Sequence, residues 1–169
     1  MRKTFIAGFV AAGLVAGISP SVAATTPSRP TSAQKLQLQY LVEEEKLARD
    51  VYAYLAANVT SQKFSNIVKS EQTHMDNISA LLMKYNYFNP TTTRAPGVFR
   101  DTELQSLYNK LIAQGSVSVA AAMQVGVAIE ELDIADLQKM MVNPAPADVK
   151  YAWDLLLKGS QNHLAAFNR

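Results

Sequence analysis

Phe64-Ser65-Asn66-Ile67-Val68-Lys69-Ser70-Glu71-Gln72-Thr73-His74-Met75-Asp76-Asn77-Ile78, running on through Leu81 to Tyr85, decides how the rest of the chain is read. Phe64, Ile67, Glu71, His74, Ile78, Leu81 and Tyr85 recur at steps of three and four, which places them on one face of a helix. That face is apolar except at Glu71 and His74. A carboxylate and an imidazole three residues apart point the same way and can share one metal ion.

Three further segments repeat the pattern. Leu38, Leu41, Glu45, Ala48, Tyr52 and Leu55 form one stripe; Ala120, Met123, Val127, Glu130, Ile134, Leu137 and Met141 form another; Val149, Trp153, Leu156, Ser160, His163 and Phe167 form the last. Each stripe is interrupted by polar groups: Glu45, Glu71 with His74, Glu130, and Ser160 with His163. Packed together, the four helices project these groups into one core. Buried carboxylates crowd and repel one another unless something positive compensates them. Arg49 is the best inward-facing cation in the sequence, so a bound metal ion is the economical partner. Both histidines of the chain fall on these stripes.

The connections are also legible. Asn58 to Lys63 is a short polar link, Asn143-Pro144-Ala145-Pro146 ends the third long helix, and Asp148 is expected to cap the fourth. Between Asn86 and Gly115 lies a longer stretch carrying a weaker helix near Thr102 to Ala113. Such a crossover is typical of ferritin-like bundles. The fold expected is all-α: a ferritin-like four-helix bundle, with a long crossover holding a short extra helix between helices 2 and 3.

The N-terminus reads differently. Met1-Arg2-Lys3, an apolar run from Phe5 to Ile18, and Ser21-Val22-Ala23-Ala24 resemble a secretory signal peptide, too short for a membrane span. The expected organisation is a signal peptide over 1–24, a flexible leader over 25–34 and the bundle over 35–169. The exported protein would be periplasmic or secreted. Removing Arg2 and Lys3 from the 16 basic residues leaves 14, equal to the 14 acidic ones. Near-zero net charge gives no footprint for nucleic acid. With no cysteine, disulfides, thiolate nucleophiles, iron–sulfur clusters and cysteine zinc sites are excluded.

Glu45-Lys46-Leu47-Ala48-Arg49-Asp50-Val51-Tyr52 resembles the first metal-binding helix of rubrerythrin-type proteins. Together with Ser70-Glu71-Gln72-Thr73-His74-Met75, Ile129-Glu130-Glu131-Leu132-Asp133-Ile134 and Gly159-Ser160-Gln161-Asn162-His163-Leu164, it is similar to the ferritin-like domain-of-unknown-function family 2202. The likeness spans roughly Gln39 to Asn168. It implies Glu45 and Glu130 as terminal ligands, Glu71 as a bridge, and His74 and His163 as capping ligands. Ser160 stands where a second bridging Glu is expected. Asp133 is then the obvious supplement, and the site can be di-metal, asymmetric or mononuclear. The resemblance implies a metalloprotein binding iron, with manganese, copper or zinc as alternatives. It would oxidise Fe(II) or reduce O2 or peroxide; the rival readings are a metal-storage module without turnover and a metal-free structural or stress protein. A homodimer is one assembly open to it.

Other residues carry plainer expectations. Glu43 and Glu44 read as solvated helix charges, with Glu44 also a supplementary ligand. Glu131 reads as surface. Tyr52 reads as core beside the site, able to hydrogen-bond a ligand. Asp50, Asp133 and Asp136 are candidate partners for the histidines, and the methionines are core filler.

Overall fold

The computed structural model describes residues 28–169, so the expected signal peptide lies outside the described residues. Five helices follow one another: α1 Ser32–Asn58, α2 Gln62–Lys84, α3 Thr102–Gly115, α4 Val119–Met141 and α5 Ala147–Phe167. No strand occurs among the described residues. The four long helices touch in a ring, α1 to α2 to α5 to α4 and back to α1, while α3 packs on α1 and α4. None of these helices is long and apolar enough to cross a membrane.

Local chemistry sets most boundaries. Helix α1 begins at Ser32, inside the stretch expected to be a leader. Thr31 and Gln34 form a capping box there, each side chain accepting from the other's backbone N–H. The buried Gln34 then donates to the Pro144 carbonyl at 2.9 Å, docking the helix start against the α4–α5 link. Asp101 caps α3 by accepting from Glu103 and Leu104 N–H, and Ser118 caps α4 by accepting from Ala121 N–H. Asp148 does not cap α5: Pro146 holds that position, and Asp148 sits in the first turn, gripping Lys84 and the Tyr85 hydroxyl of α2.

The polar stripes of α1, α2 and α5 are buried at every position expected. Helix α4 departs. Ala120 is exposed, and Met123, Val127, Ile134 and Met141 are only half-buried. The core face instead carries Ala122, Val125, Ile129, Glu130, Asp133, Leu137 and Met140. The reason is compositional: α4 is apolar on most sides, so its periodicity does not single out one face.

Two apolar clusters result. One joins Leu38 and Leu41 of α1, Ile78 and Leu82 of α2, Leu137 and Met140 of α4, and Val149 and Trp153 of α5. The other joins Val51 and Leu55 of α1, Phe64 and Ile67 of α2, Ala122 and Ile129 of α4, Phe167 of α5, and α3 through Leu104 and Leu111. The polar interruptions lie between them along every long helix.

The segment between α2 and α3 is fastened to α1 by buried charges. Lys46, 1% exposed, pairs with Asp50, donates to Ala95 O at 2.8 Å and lies 4.5 Å from the centroid of the Phe99 ring. Asp50 also accepts from Gly97 N–H at 2.8 Å. Glu43 accepts from Arg100 and Asp101 N–H at the start of α3, where a helix favours negative charge. Glu43 and Glu44 are therefore buried, contrary to expectation, because this segment and α4 cover a side of α1 that periodicity leaves open.

Gly97 has φ +74°, and a Cβ built on it would sit 2.9 Å from the Tyr108 ring. Gly97→Ala should therefore lower stability by about 1–2 kcal/mol for the backbone conformation alone, read as a lower denaturant midpoint.

Candidate metal centre

Glu71 stands at the middle of the polar layer. Its Oε2 lies 3.0 Å from His74 Nδ1, and its Oε1 lies 2.8 Å from His163 Nδ1. His74 Nδ1 is also 3.1 Å from Glu45 Oε2, and His163 Nδ1 is 3.5 Å from Glu130 Oε1. Two groups of three thus share Glu71: Glu45, Glu71 and His74 on one side, Glu71, Glu130 and His163 on the other. Within each group the candidate ligand atoms lie within 4.8 Å of one another. All five residues that the sequence proposes as ligands meet here. The two imidazoles lie side by side, with ring centroids 5.6 Å apart.

The donor set fits a metal ion on three counts. Ligand atoms held about 2.1 Å from one ion lie roughly 3.0–3.4 Å from each other, and the imidazole–carboxylate separations here run from 2.8 to 3.5 Å. One Nδ1 of His74 faces two carboxylates but can donate only one hydrogen. Glu45 Oε1, Glu71 Oε1, Glu130 Oε2 and His163 Nδ1 are buried without a hydrogen bond; the 2.8 Å approach of Glu71 to His163 lacks hydrogen-bond alignment. Unpaired buried polar atoms are costly and rare, and a cation in each group would give these carboxylates and imidazoles a partner.

Surrounding groups hold the ligands in place. His163 Nε2 lies 2.9 Å from Ser70 Oγ, which leaves Nδ1 turned to the centre. Tyr52, fully buried, donates to Glu130 Oε1 at 2.6 Å. His74 lies against the backbone of α5: a Cβ built on Gly159 would come within 2.4 Å of its Nε2. Neither Ser70 nor Gly159 stands out in the sequence reading. A glycine inside a helix is the signal that could have found the second, since it weakens the helix and needs a packing reason.

Other expected residues fall differently. Ser160 is buried and donates to Leu156 O at 3.1 Å, within its own helix. Asp133 is 2% exposed and belongs to the core face. Asp50 does not approach a histidine; it takes Lys46, Arg49 and Gly97. Asp136 pairs with Lys139 and lies beside Glu44. Arg49 turns to Asp50 and Gln72, so it neutralises no centre carboxylate. Glu131 is exposed, as expected.

The electrostatics follow from crowding. Burial, then the neighbouring Glu71, push Glu45 well above the usual carboxylate range. Burial, then Glu45 and Glu44, do the same to Asp133. Burial raises Glu44 to about 9, with Asp136 adding to it. Glu71 goes the other way: burial opposes its charge, but the two imidazoles outweigh it and hold the group near 2. His163 is raised to about 9, because Glu130 and Glu71 outweigh the effect of burial.

The sign of the pH dependence is set by these shifts. Glu44, raised from 4.5 to about 9, and His163, raised from 6.5 to about 9, stabilise the fold below their unfolded values. That contribution is lost as pH rises toward 9. Glu71 loses its contribution only as pH falls from 4.5 toward 2. The melting temperature of metal-stripped protein should therefore fall steadily from about pH 5 to about pH 9. A flat or rising profile would contradict this charge distribution.

The comparisons with known proteins agree with the fold. The family described as an uncharacterised protein domain, DUF2202, matches residues 34–169. The uncharacterised protein MJ0754 of Methanocaldococcus jannaschii is 44% identical over 144 residues, which is 85% of this chain and 78% of that protein. The crystal structure of hypothetical protein MJ0754 from Methanococcus jannaschii aligns with a TM-score of 0.80, covering 85% of this chain and 83% of that one. Extending from Gln34 through the last turn of α5, the match takes in every helix and every residue of the candidate centre, and the chain belongs to the DUF2202 family.

Proposed function

We propose that the protein is an exported, ferritin-like metalloprotein that binds one or two divalent ions, iron above all, at Glu45, Glu71, His74, Glu130 and His163. The single observation that carries this reading is the position of Glu71, whose two oxygens each face a different imidazole while another carboxylate completes each group. Iron bound there would supply the one-electron chemistry that couples Fe(II) oxidation to reduction of O2 or peroxide.

The protein's own groups have defined tasks in this reading. Glu71 bridges the two halves. Ser70 holds the imidazole of His163, and the Tyr52 hydroxyl orients Glu130. The two apolar clusters keep water from both ends of the layer. Hard carboxylate oxygens with neutral imidazoles suit iron or manganese. The ferritin-like reading draws support from the core clusters. The last halves of α2 and α4 share a cluster with the first halves of α1 and α5, so α2 and α4 run in the same direction. A connection carrying α3 then has to travel the length of the bundle. Export rests on the basic, then apolar, then small-residue pattern of residues 1–24, with periplasm or exterior as the destination.

The decisive comparison is Glu71→Ala with Glu131→Ala. Glu71→Ala should lose most bound metal and any Fe(II) oxidation, yet stay folded without metal: it takes Glu45 and Glu130 out of the field of a third carboxylate, which offsets part of the loss of the His74 and His163 contacts that hold Glu71 near 2. Truncating an ordinary core residue would instead cost roughly 2–5 kcal/mol. Glu131→Ala should be nearly silent. Metal content, Fe(II) oxidation rate and chemical denaturation of both variants check this. Loss of metal in Glu131→Ala but not in Glu71→Ala would overturn the site, and binding without oxidation would leave a storage role.

A further inference from the structure

Two buried carboxylates outside the five proposed ligands carry oxygens that no hydrogen bond reaches. Glu44 is 1% exposed, and neither of its oxygens has a hydrogen bond. Asp133 is 2% exposed, and its Oδ2 has none. The bundle does satisfy other buried acids. Glu43 takes the N–H groups at the start of α3, and Asp50 takes Lys46, Arg49 and Gly97 N–H. Glu44 and Asp133 are therefore not what this fold does with a carboxylate that only has to be buried.

Their placement is ordered. Asp136, at the half-buried edge of α4, is held at the surface by Lys139 at 2.6 Å. Glu44 of α1 lies beside Asp136. Asp133, one turn earlier on α4, is shifted most by its burial, and among the charges around it Glu45 and Glu44 act ahead of Glu130 and Glu71. Carboxylates thus alternate between α4 and α1 from the rim inward: Asp136, Glu44, Asp133, Glu45. Lys139, the cation that acts on Glu44 from this end, is exposed.

We propose that Asp136, Glu44 and Asp133 form a relay of oxygen ligands through which a divalent cation passes between the surface and the centre, along the seam of α1 and α4. The inference rests on the metal reading of the centre. Oxygen ligands from successive carboxylates can replace the water shell of a hard cation step by step. A passage lined by one sign of charge also raises the local concentration of the opposite ion and its rate of arrival.

Co(II) uptake by the purified, metal-stripped chain, followed by visible absorption in a stopped-flow mixer, tests the relay. Glu44→Gln keeps the shape and removes the charge. It should slow Co(II) uptake by roughly tenfold or more, with final Co(II) content and affinity unchanged. Asp136→Asn should slow it by a smaller factor, and Glu131→Gln should match the unaltered chain. Uptake by Glu44→Gln at the unaltered rate overturns the relay, whatever Asp136→Asn does. Slow uptake with reduced final content makes Glu44 a ligand of the centre and overturns it too. Absence of Co(II) binding in the unaltered chain removes the centre itself, whereas normal binding with unchanged rates removes only the relay.

Discussion

Glu44, Glu45, Glu71, Glu130 and Asp133 are all buried within one layer of a helical bundle whose two ends are apolar. An ionised carboxylate taken out of water costs several kcal/mol even after the protein relaxes, and neighbouring carboxylates add to that cost. Two imidazoles offset part of it, which is why Glu71 alone among these acids is held below the usual range. The others are pushed upward and must bind a proton or a cation. Every further feature of the site follows from how that layer is neutralised.

The bundle around the layer is built to bear it. Trp153, Leu38, Leu41 and Ile78 are fully buried at one end, and Phe64, Tyr52 and Leu55 at the other. Fully burying one such side chain contributes about 1.5–3 kcal/mol, so a few of them offset one unfavourable carboxylate. Helix α1 is enclosed on more sides than its neighbours. Lys46 with Asp50, and Glu43 with the start of α3, hold the preceding segment across it. These are complete ion pairs and caps, in contrast to the orphaned oxygens of Glu44 and Asp133.

The two halves of the centre differ. His74 reaches across to α5 and rests on Gly159, where a Cβ would come within 2.4 Å of its Nε2. Next to it, Ser160 is small and turned back to its own helix. The second half of the site therefore has Glu130 and His163 but no carboxylate matching Glu71. Asp133 lies nearby on α4, buried and strongly influenced by Glu45 and Glu130.

The sequence by itself determined the helical class, the core stripes of α1, α2 and α5, and the five residues that converge at the centre. Those follow from local periodicity, because a polar residue on an otherwise apolar stripe has to face other such residues. It misplaced the face of α4, since Ala, Val, Ile and Met on most sides of that helix leave its orientation to packing. It left Glu43 and Glu44 in water, and it turned Asp50 toward the histidines and Arg49 toward the core. Only the tertiary structure brought the α2–α3 segment over α1, which buries those acids and gives Lys46 and Gly97 their partners. Ser70 and Gly159 were likewise invisible until His163 and His74 came to rest on them. Periodicity reports which way a side chain leaves its own helix; what it meets there depends on residues far away in the chain.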